Sequence, residues 1–417
     1  MYLDTGIYSG PCACGKSHAI VTKMAVIEPG CLKKLESYRA EWHITGKLCA
    51  LYDANTYRAA AGRRPAAEQE IVLDPAGLHA DEASVRLVLA RLAPDTAVIA
   101  AVGSGTIHDI ARYCAHERGL RFLSCPTAAS VDGFCSTVCA MTWYGYKKTM
   151  PAVAPELVVA DTELLAAAPA ALIRSGVGDI LAKYTALADW QISHVLTGEY
   201  FCEKIRGIMA DAVQAVRAET QSAGCTGAAA CEKVMYALLL SGIAMQMMGS
   251  SRPASGAEHH ISHMIEMGAE ALQPAFPAPH GEKTGVGTLL AVREYKRLAA
   301  VPDIAGFAVD FAPLSAAYIR AVYGERLAEA ILNENREDCL AGVTRQQLIR
   351  CWPAVREIVA GLPEEQELQD ILTSIGAKHT LAEIGVAEDK RGILLDASPC
   401  VRNRLTLMRL RRMLPLR

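Results

Sequence analysis

Imidazoles and a carboxylate that could share a metal ion lie in three separate stretches of this 417-residue chain. Ser255-Gly256-Ala257-Glu258-His259-His260-Ile261-Ser262-His263 sets His259 and His263 four apart, on one face if the segment is helical. Pro279-His280-Gly281-Glu282-Lys283 follows, and far upstream Ser175-Gly176-Val177-Gly178-Asp179 supplies an acid. A carboxylate and two imidazoles from separate helices leave a tetrahedral divalent site one ligand short, as a catalytic ion needs in order to accept a substrate oxygen. Spacing does not choose between His259 and His260 as the ligand. If His259 binds, His263 points into the same pocket, where it can transfer a proton or touch substrate. Clustered histidines also occur on plain surfaces, and Asp179 would serve equally as a helix cap.

A second group of residues suits a nucleotide. Val98 to Val102 runs into Gly103-Ser104-Gly105-Thr106 and then a helical stretch with Asp109. A strand, a glycine turn and a helix start let backbone approach a pyrophosphate, with N–H groups and the helix dipole facing its charge. The third glycine of the usual dinucleotide pattern is absent, so a purely structural turn would read the same way. Asp53 ends an earlier β run, where a carboxylate can bond an adenosine ribose or simply cap the next helix. Pro126-Thr127-Ala128-Ala129-Ser130-Val131-Asp132-Gly133 joins hydroxyls, small residues and an acid at a further strand end.

The elements that must position these groups alternate up to about residue 165. Met24 to Ile27, Leu48 to Tyr52, Ile71 to Leu73, Ala97 to Val102, Phe122 to Cys125 and Leu157 to Ala160 are short apolar runs, the pattern of strands covered on both faces. Helical spacing between them, as in Asp81 to Leu92 and Thr106 to Arg118, implies βαβ units and a parallel sheet. Beyond residue 166, Ala170 to His194, Tyr200 to Thr220 and Glu325 to Asn335 have helical periodicity without comparable β runs. The reading is an α/β nucleotide-binding domain over 1–165 and an all-α metal-binding domain over 166–417.

Bulk properties narrow the partners. With 42 Lys+Arg against 45 Asp+Glu the net charge is −3, which removes a general electrostatic case for nucleic acid or an acidic membrane. Val234 to Met248, at about 15 residues, is read as a buried helix, since a membrane span needs about 20. Arg402, Arg404, Arg409, Arg411 and Arg412 are read as solvated on a docked terminal helix. Met1-Tyr2-Leu3-Asp4 shows no secretory pattern, which suggests the cytoplasm and reduced thiols for the 14 cysteines. Cys12-Ala13-Cys14 is tighter than the Cys-x2-Cys of zinc knuckles, and most other cysteines fit apolar stretches.

Taken in order, these motifs resemble those of the glycerol-1-phosphate dehydrogenases, within the superfamily of dehydroquinate synthase, glycerol dehydrogenase and iron-containing alcohol dehydrogenases. The resemblance runs through Gly103 to Asp109, Pro126 to Gly133, Gly176-Val177-Gly178-Asp179-Ile180-Leu181-Ala182-Lys183, Arg252 to His263 and Pro279 to Glu282. It implies a dehydroquinate synthase-like fold and NADH- or NADPH-dependent reduction of dihydroxyacetone phosphate to sn-glycerol 1-phosphate. It further implies Asp179, His259 and His280 as ligands of one divalent metal (zinc, nickel or iron), which would polarise the carbonyl. Asp53, Gly103, Gly105, Thr106, Ile107, His108, Asp109, Thr127, Ala128, Ala129, Ser130 and Ser136 are implied to bind the dinucleotide. Asp132, Asp179 and His263 are implied to meet the substrate and carry its chemistry.

Lys183 stands where iron-type alcohol dehydrogenases place a second ligand, and Asp179 where dehydroquinate synthases place glutamate. A glycerol dehydrogenase-like polyol oxidoreductase and a dehydroquinate synthase-like lyase are the alternatives. Lys147, Lys148, Arg252 and Lys283 are candidates for the substrate phosphate. The expected partners are a small phosphorylated substrate and further copies of the chain, as a homodimer or larger.

Overall fold

The computed structural model describes residues 1–223 and 225–415. Two compact units emerge, Met1–Ile180 with Asp211–Ser251, and Leu181–Ala210 with Arg252–Arg417. The strands end near the boundary read at residue 165. Compactness instead divides the chain at Ile180 and returns 211–251 to the first unit.

The first unit holds every strand among the described residues: β1 (Tyr2–Asp4), β2 (Gly10–Pro11), β3 (Ser17–His18), β4 (Met24–Glu28), β5 (Lys47–Asp53), β6 (Gln69–Leu73), β7 (Thr96–Gly103), β8 (Arg121–Pro126), β9 (Val138–Trp143), β10 (Tyr146–Pro151) and β11 (Leu157–Asp161). Seven form one sheet in the order β1-β4-β11-β8-β7-β5-β6. Only β1 runs antiparallel to its neighbour; the others are parallel. All six apolar runs fall in the parallel strands because both sheet faces are covered. Val98, Ala100 and Val102 join Leu48, Ala50 and Tyr52 in one core, while Ile99 and Ala101 join Cys49 and Leu51 in the other. β9 and β10 form a separate hairpin that no apolar run announced.

The helices of this unit are α1 (Leu35–Glu41), α2 (Ala54–Ala59), α3 (Glu82–Arg91), α4 (Gly105–Arg118), α5 (Thr162–Ala166) and α6 (Ala170–Leu181), whose last residue opens the second unit. The second unit continues with α7 (Lys183–Thr197) and the start of α8 (Glu203–Ala223), so the single helix expected over Ala170 to His194 is broken at Ala182. The rest of α8 and α9 (Gly227–Met248) belong to the first unit. At 22 residues α9 is longer than its apolar run suggested and could span a membrane by length and composition. Burial of 72% of its most apolar window, rather than shortness, marks it as a core helix.

The described residues of the second unit form helices and loops, with no strand. The unit continues with α10 (Ala257–Glu266), α11 (His280–Ala299), α12 (Ala316–Tyr323), α13 (Glu325–Glu334), α14 (Arg345–Ala360), α15 (Glu365–Ser374), α16 (Arg391–Ala397) and α17 (Leu407–Leu410). Tyr295, Leu348, Trp352 and Leu407 share one core. The terminal arginines dock, but they are not solvated as expected. Arg409 is fully buried and bonds Asp338, Asn335 and two backbone carbonyls, and Arg412 pairs with Asp338. A guanidinium has five donors, so a buried one is retained only where acceptors surround it.

Helix α6 lies against the β8 loop at Gly176, where a Cβ would come within 2.1 Å of the Ala129 carbonyl oxygen. Backbone on the other side cannot yield as a flexible side chain would. Gly176→Ala is expected to cost about 1–3 kcal/mol through overpacking, read as a lower unfolding midpoint. Gly133→Ala, with open space around its Cβ position, should move it little.

Candidate functional site

In the first unit the glycine turn closes tightly. Gly103 ends β7, and a Cβ there would meet the Ile107 Cβ at 2.6 Å. Ser104 follows as the N-cap of α4 without a side-chain cap, and the first helical bond runs from His108 N–H to the Ser104 carbonyl at 3.1 Å. The N–H groups of Gly105, Thr106 and Ile107 therefore stand at the positive end of a 14-residue helix, the arrangement that favours an anion.

Not every residue of this turn faces outward. Ile107 is packed in the core. The buried ring of His108 meets the Ser104 carbonyl at 3.0 Å and Ser124 Oγ at 2.9 Å, and lies edge-on to Phe134. Burial pushes its pKa down to about 3. His108 thus braces the turn from behind, while Thr106 and Asp109 are half-buried. One helical turn after His108, buried Arg112 donates to the carbonyls of Phe134, Ser136 and Val138 at 2.9–3.0 Å. It clamps the loop that contains Asp132 and Ser136; Ser136 Oγ in turn accepts from the Val138 N–H.

The other strand ends on this sheet edge also hold expected residues. Asp53 Oδ1 accepts the N–H groups of Asn55 and Thr56 at 2.7 and 2.9 Å, so its capping role is realised at the carboxyl end of β5. Thr127 N–H bonds the Gly103 carbonyl, and the Ser130 carbonyl accepts from Ser175 Oγ of α6. Thr127, Ala128, Ala129 and Ser130 are all buried. Asp179 Oδ2, fully enclosed on α6, accepts the Asp132 N–H at 2.9 Å, and Asp132 Oδ2 accepts from Ser241 Oγ of α9 at 2.7 Å. The two acids assigned to substrate are thereby tied to each other.

In the second unit α10 and α11 bring three imidazoles together. Ring centroids of His259, His263 and His280 are 5.3–6.0 Å apart. His260 is buried, with neither ring nitrogen hydrogen-bonded among the described residues, whereas it is His259 whose ring stands in this cluster. Carboxylates stand behind two of the rings: Glu258 Oε1 lies 2.8 Å from His259 Nδ1, and Glu266 Oε1 lies 2.7 Å from His280 Nδ1. A carboxylate can only accept there, so each Nδ1 bears the proton and each Nε2 keeps a lone pair for a ligand. This is the support that metal-binding histidines require. Burial holds His263 well below the ordinary imidazole range, and its Nδ1 has no partner among the described residues.

The supports are themselves held. Glu258 also accepts from Thr185 Oγ1 and Gly256 N–H, both at 2.6 Å, and Glu266 pairs with Lys283 at 3.2 Å. Asp189 of α7 accepts the Tyr295 hydroxyl, Ala257 N–H and Leu407 N–H at 2.7–2.9 Å; burial first, then Glu258, pushes its pKa up to about 7. Arg252 is committed to Glu199 and the carbonyls of Asp189 and Leu405, and Lys183 donates to the Ala254 carbonyl. Both cations are thus engaged within the second unit. Of the four phosphate candidates, Lys147 and Lys148 on β10 are the more exposed.

Residues 26–169 match the model of the family described as iron-containing alcohol dehydrogenase. The glycerol-1-phosphate dehydrogenase [NAD(P)+] of Bacillus licheniformis is 36% identical over 301 residues, 69% of this chain and 74% of the relative. That of Halalkalibacterium halodurans is 30% identical over 413 residues, 95% of this chain and 94% of its own. The chain belongs to the glycerol-1-phosphate dehydrogenase family. Its fold is also that of an iron-containing alcohol dehydrogenase from Corynebacterium glutamicum, with a TM-score of 0.61, 17% identity and 95% of each chain covered.

Within this chain, Glu258, Glu266, Ser241, Asp189 and Arg112 are the residues that sequence reading passed over. Glu258 and Glu266 had a signal: each lies on the helix of His259 and His263, beside or one turn from a histidine. Asp189 had none, because its three partners are 68 to 218 positions away. Asp189→Ala would leave three buried donors without an acceptor, at about 1–3 kcal/mol each. A large drop in the urea midpoint is expected, with Asp189→Asn, which keeps one carbonyl acceptor, in between.

Proposed function

We propose that this chain reduces dihydroxyacetone phosphate to sn-glycerol 1-phosphate with NADH or NADPH, using one divalent metal ion. The observation that carries this reading is the pair of histidines, His259 and His280, each with a carboxylate behind Nδ1 and a lone pair in front. Family membership and the motif order support Asp179 as the third ligand. Two imidazoles and a carboxylate suit zinc, nickel or iron. When bound, such an ion polarises a ketone oxygen and stabilises the charge that develops on it during hydride transfer.

The chain's own groups then have distinct tasks. Gly103, Gly105 and Thr106 would receive the dinucleotide pyrophosphate at the α4 N-terminus, with Asp109, Thr127 to Ser130 and Ser136 as further dinucleotide contacts. His108 and Arg112 brace these segments from within. Asp132, tied to Asp179 and Ser241, would fix the substrate hydroxyl. His263, held neutral and with Nδ1 open to a partner, would accept or return a proton at that nitrogen. Cytoplasmic location and assembly as a homodimer or larger belong to the same reading.

Purified protein supplied with dihydroxyacetone phosphate should oxidise NADH or NADPH and yield the sn-1 rather than the sn-3 phosphate; chelation should abolish turnover. Retention of bound NAD without net hydride consumption would instead favour a lyase. Glu258→Gln and Glu266→Gln should each weaken metal binding about 10–100-fold, read by competition with a chromophoric chelator. Asp53→Asn preserves a good helix cap and removes only charge, so it should raise the NADPH-to-NADH turnover ratio without lowering stability.

A further inference from the structure

The proposed reduction makes no use of Pro11-Cys12-Ala13-Cys14-Gly15-Lys16-Ser17-His18. These residues form a hairpin of the first unit: β2 pairs with β3, Cys12 N–H bonds the Lys16 carbonyl at 2.9 Å, and Gly15 N–H bonds the Cys12 carbonyl at 3.0 Å. The turn gathers Cys12 Sγ, Cys14 Sγ and a ring nitrogen of His18 within 4.8 Å of one another. Cys14 Sγ and His18 Nε2 are 3.5 Å apart. Sulfur and nitrogen on one tetrahedral zinc, at about 2.3 and 2.0–2.1 Å from the ion, stand about 3.6 Å apart. A thiol–imidazole hydrogen bond would also give that distance, but it would not require the second sulfur.

The far side of the ring supplies an independent observation. His18 is 4% exposed, and its Nδ1 lies 2.9 Å from the Met247 carbonyl near the end of α9. A carbonyl only accepts, so Nδ1 bears the proton and Nε2 turns a lone pair toward Cys14. A backbone carbonyl behind the non-ligating nitrogen is the usual support of a metal-bound histidine. Two thiolates and an imidazole are a soft set that selects zinc over magnesium or calcium.

We propose that Cys12, Cys14 and His18 bind a second, structural zinc ion, with the fourth position taken by a donor from outside the hairpin. The ion fastens the N-terminal hairpin to the end of α9, the helix whose Ser241 holds Asp132. The tight Cys-x-Cys spacing, which argued against a zinc knuckle, overlooked the imidazole four residues on that completes the group.

Elemental analysis of the purified full chain should find two divalent ions per chain, falling by one in Cys14→Ser and in His18→Asn. Cobalt-substituted wild type should show thiolate-to-cobalt charge-transfer bands, because Asp179, His259 and His280 contain no sulfur. Intensity for two thiolates assigns the fourth position to water or a non-sulfur donor, and intensity for three assigns it to a further cysteine; either supports the site. Absence of these bands, or bands unchanged by Cys14→Ser, overturns it. Should the variants fail to fold, wild type titrated with a mercurial decides: release of one zinc equivalent supports the proposal and release of none overturns it.

Discussion

Asp189 lies wholly inside the second unit and accepts hydrogen bonds from the Tyr295 hydroxyl and the backbone of Ala257 and Leu407. Those donors belong to α11, the first turn of α10 and α17, so four helices can pack together only where all three bonds close around one carboxylate. An unmade bond would leave a buried polar group stranded, which makes the arrangement steep rather than adjustable. His259 and His263 ride on α10 and His280 opens α11, so the spacing of the three rings follows from this anchor. Glu258 and Glu266 then set how two of the rings are turned. Position comes from one buried acid and orientation from two others.

The first unit solves a different problem. An open parallel sheet presents its loops at the carboxyl ends of the strands, where ligands bind, yet loops are the least constrained parts of a chain. Here they are restrained by buried polar groups. Arg112 holds three carbonyls of the loop after β8, His108 joins the glycine turn to Ser124, and Asp179 and Ser241 fix Asp132 from two helices. The near-zero net charge accords with this design, since local N–H groups and a few enclosed charges do the recognition.

Much of this was legible in the residues because the relevant physics is local. Parallel strands covered on both faces must be continuously apolar, so Val98 to Val102 and its counterparts stand out. The β9–β10 hairpin does not, because it is outside that sheet and keeps polar residues such as Lys147 to Thr149 along one strand. Histidine spacing placed His259 and His263 on one face, but only packing separates His259 from His260. His108, polar and beside the glycines, reads as a ligand contact until its buried neighbours are known. The terminal arginines misled for the same reason: Arg409 finds its acceptors at Asn335, Asp338 and Pro399, which no sequence window joins.

The return of 211–251 to the first unit gives the polypeptide an order of completion. The chain enters the second unit at Leu181, leaves it at Ala210, and re-enters it only at Arg252. During synthesis, which proceeds from the N-terminus, the sheet can form early, but α9 and its hold on Asp132 are missing until residue 251 has emerged. By then about thirty residues of the second unit are already waiting for partners that come later. Neither unit is one continuous stretch of chain, and cutting the gene where the strands end would release a sheet without the helix that finishes it.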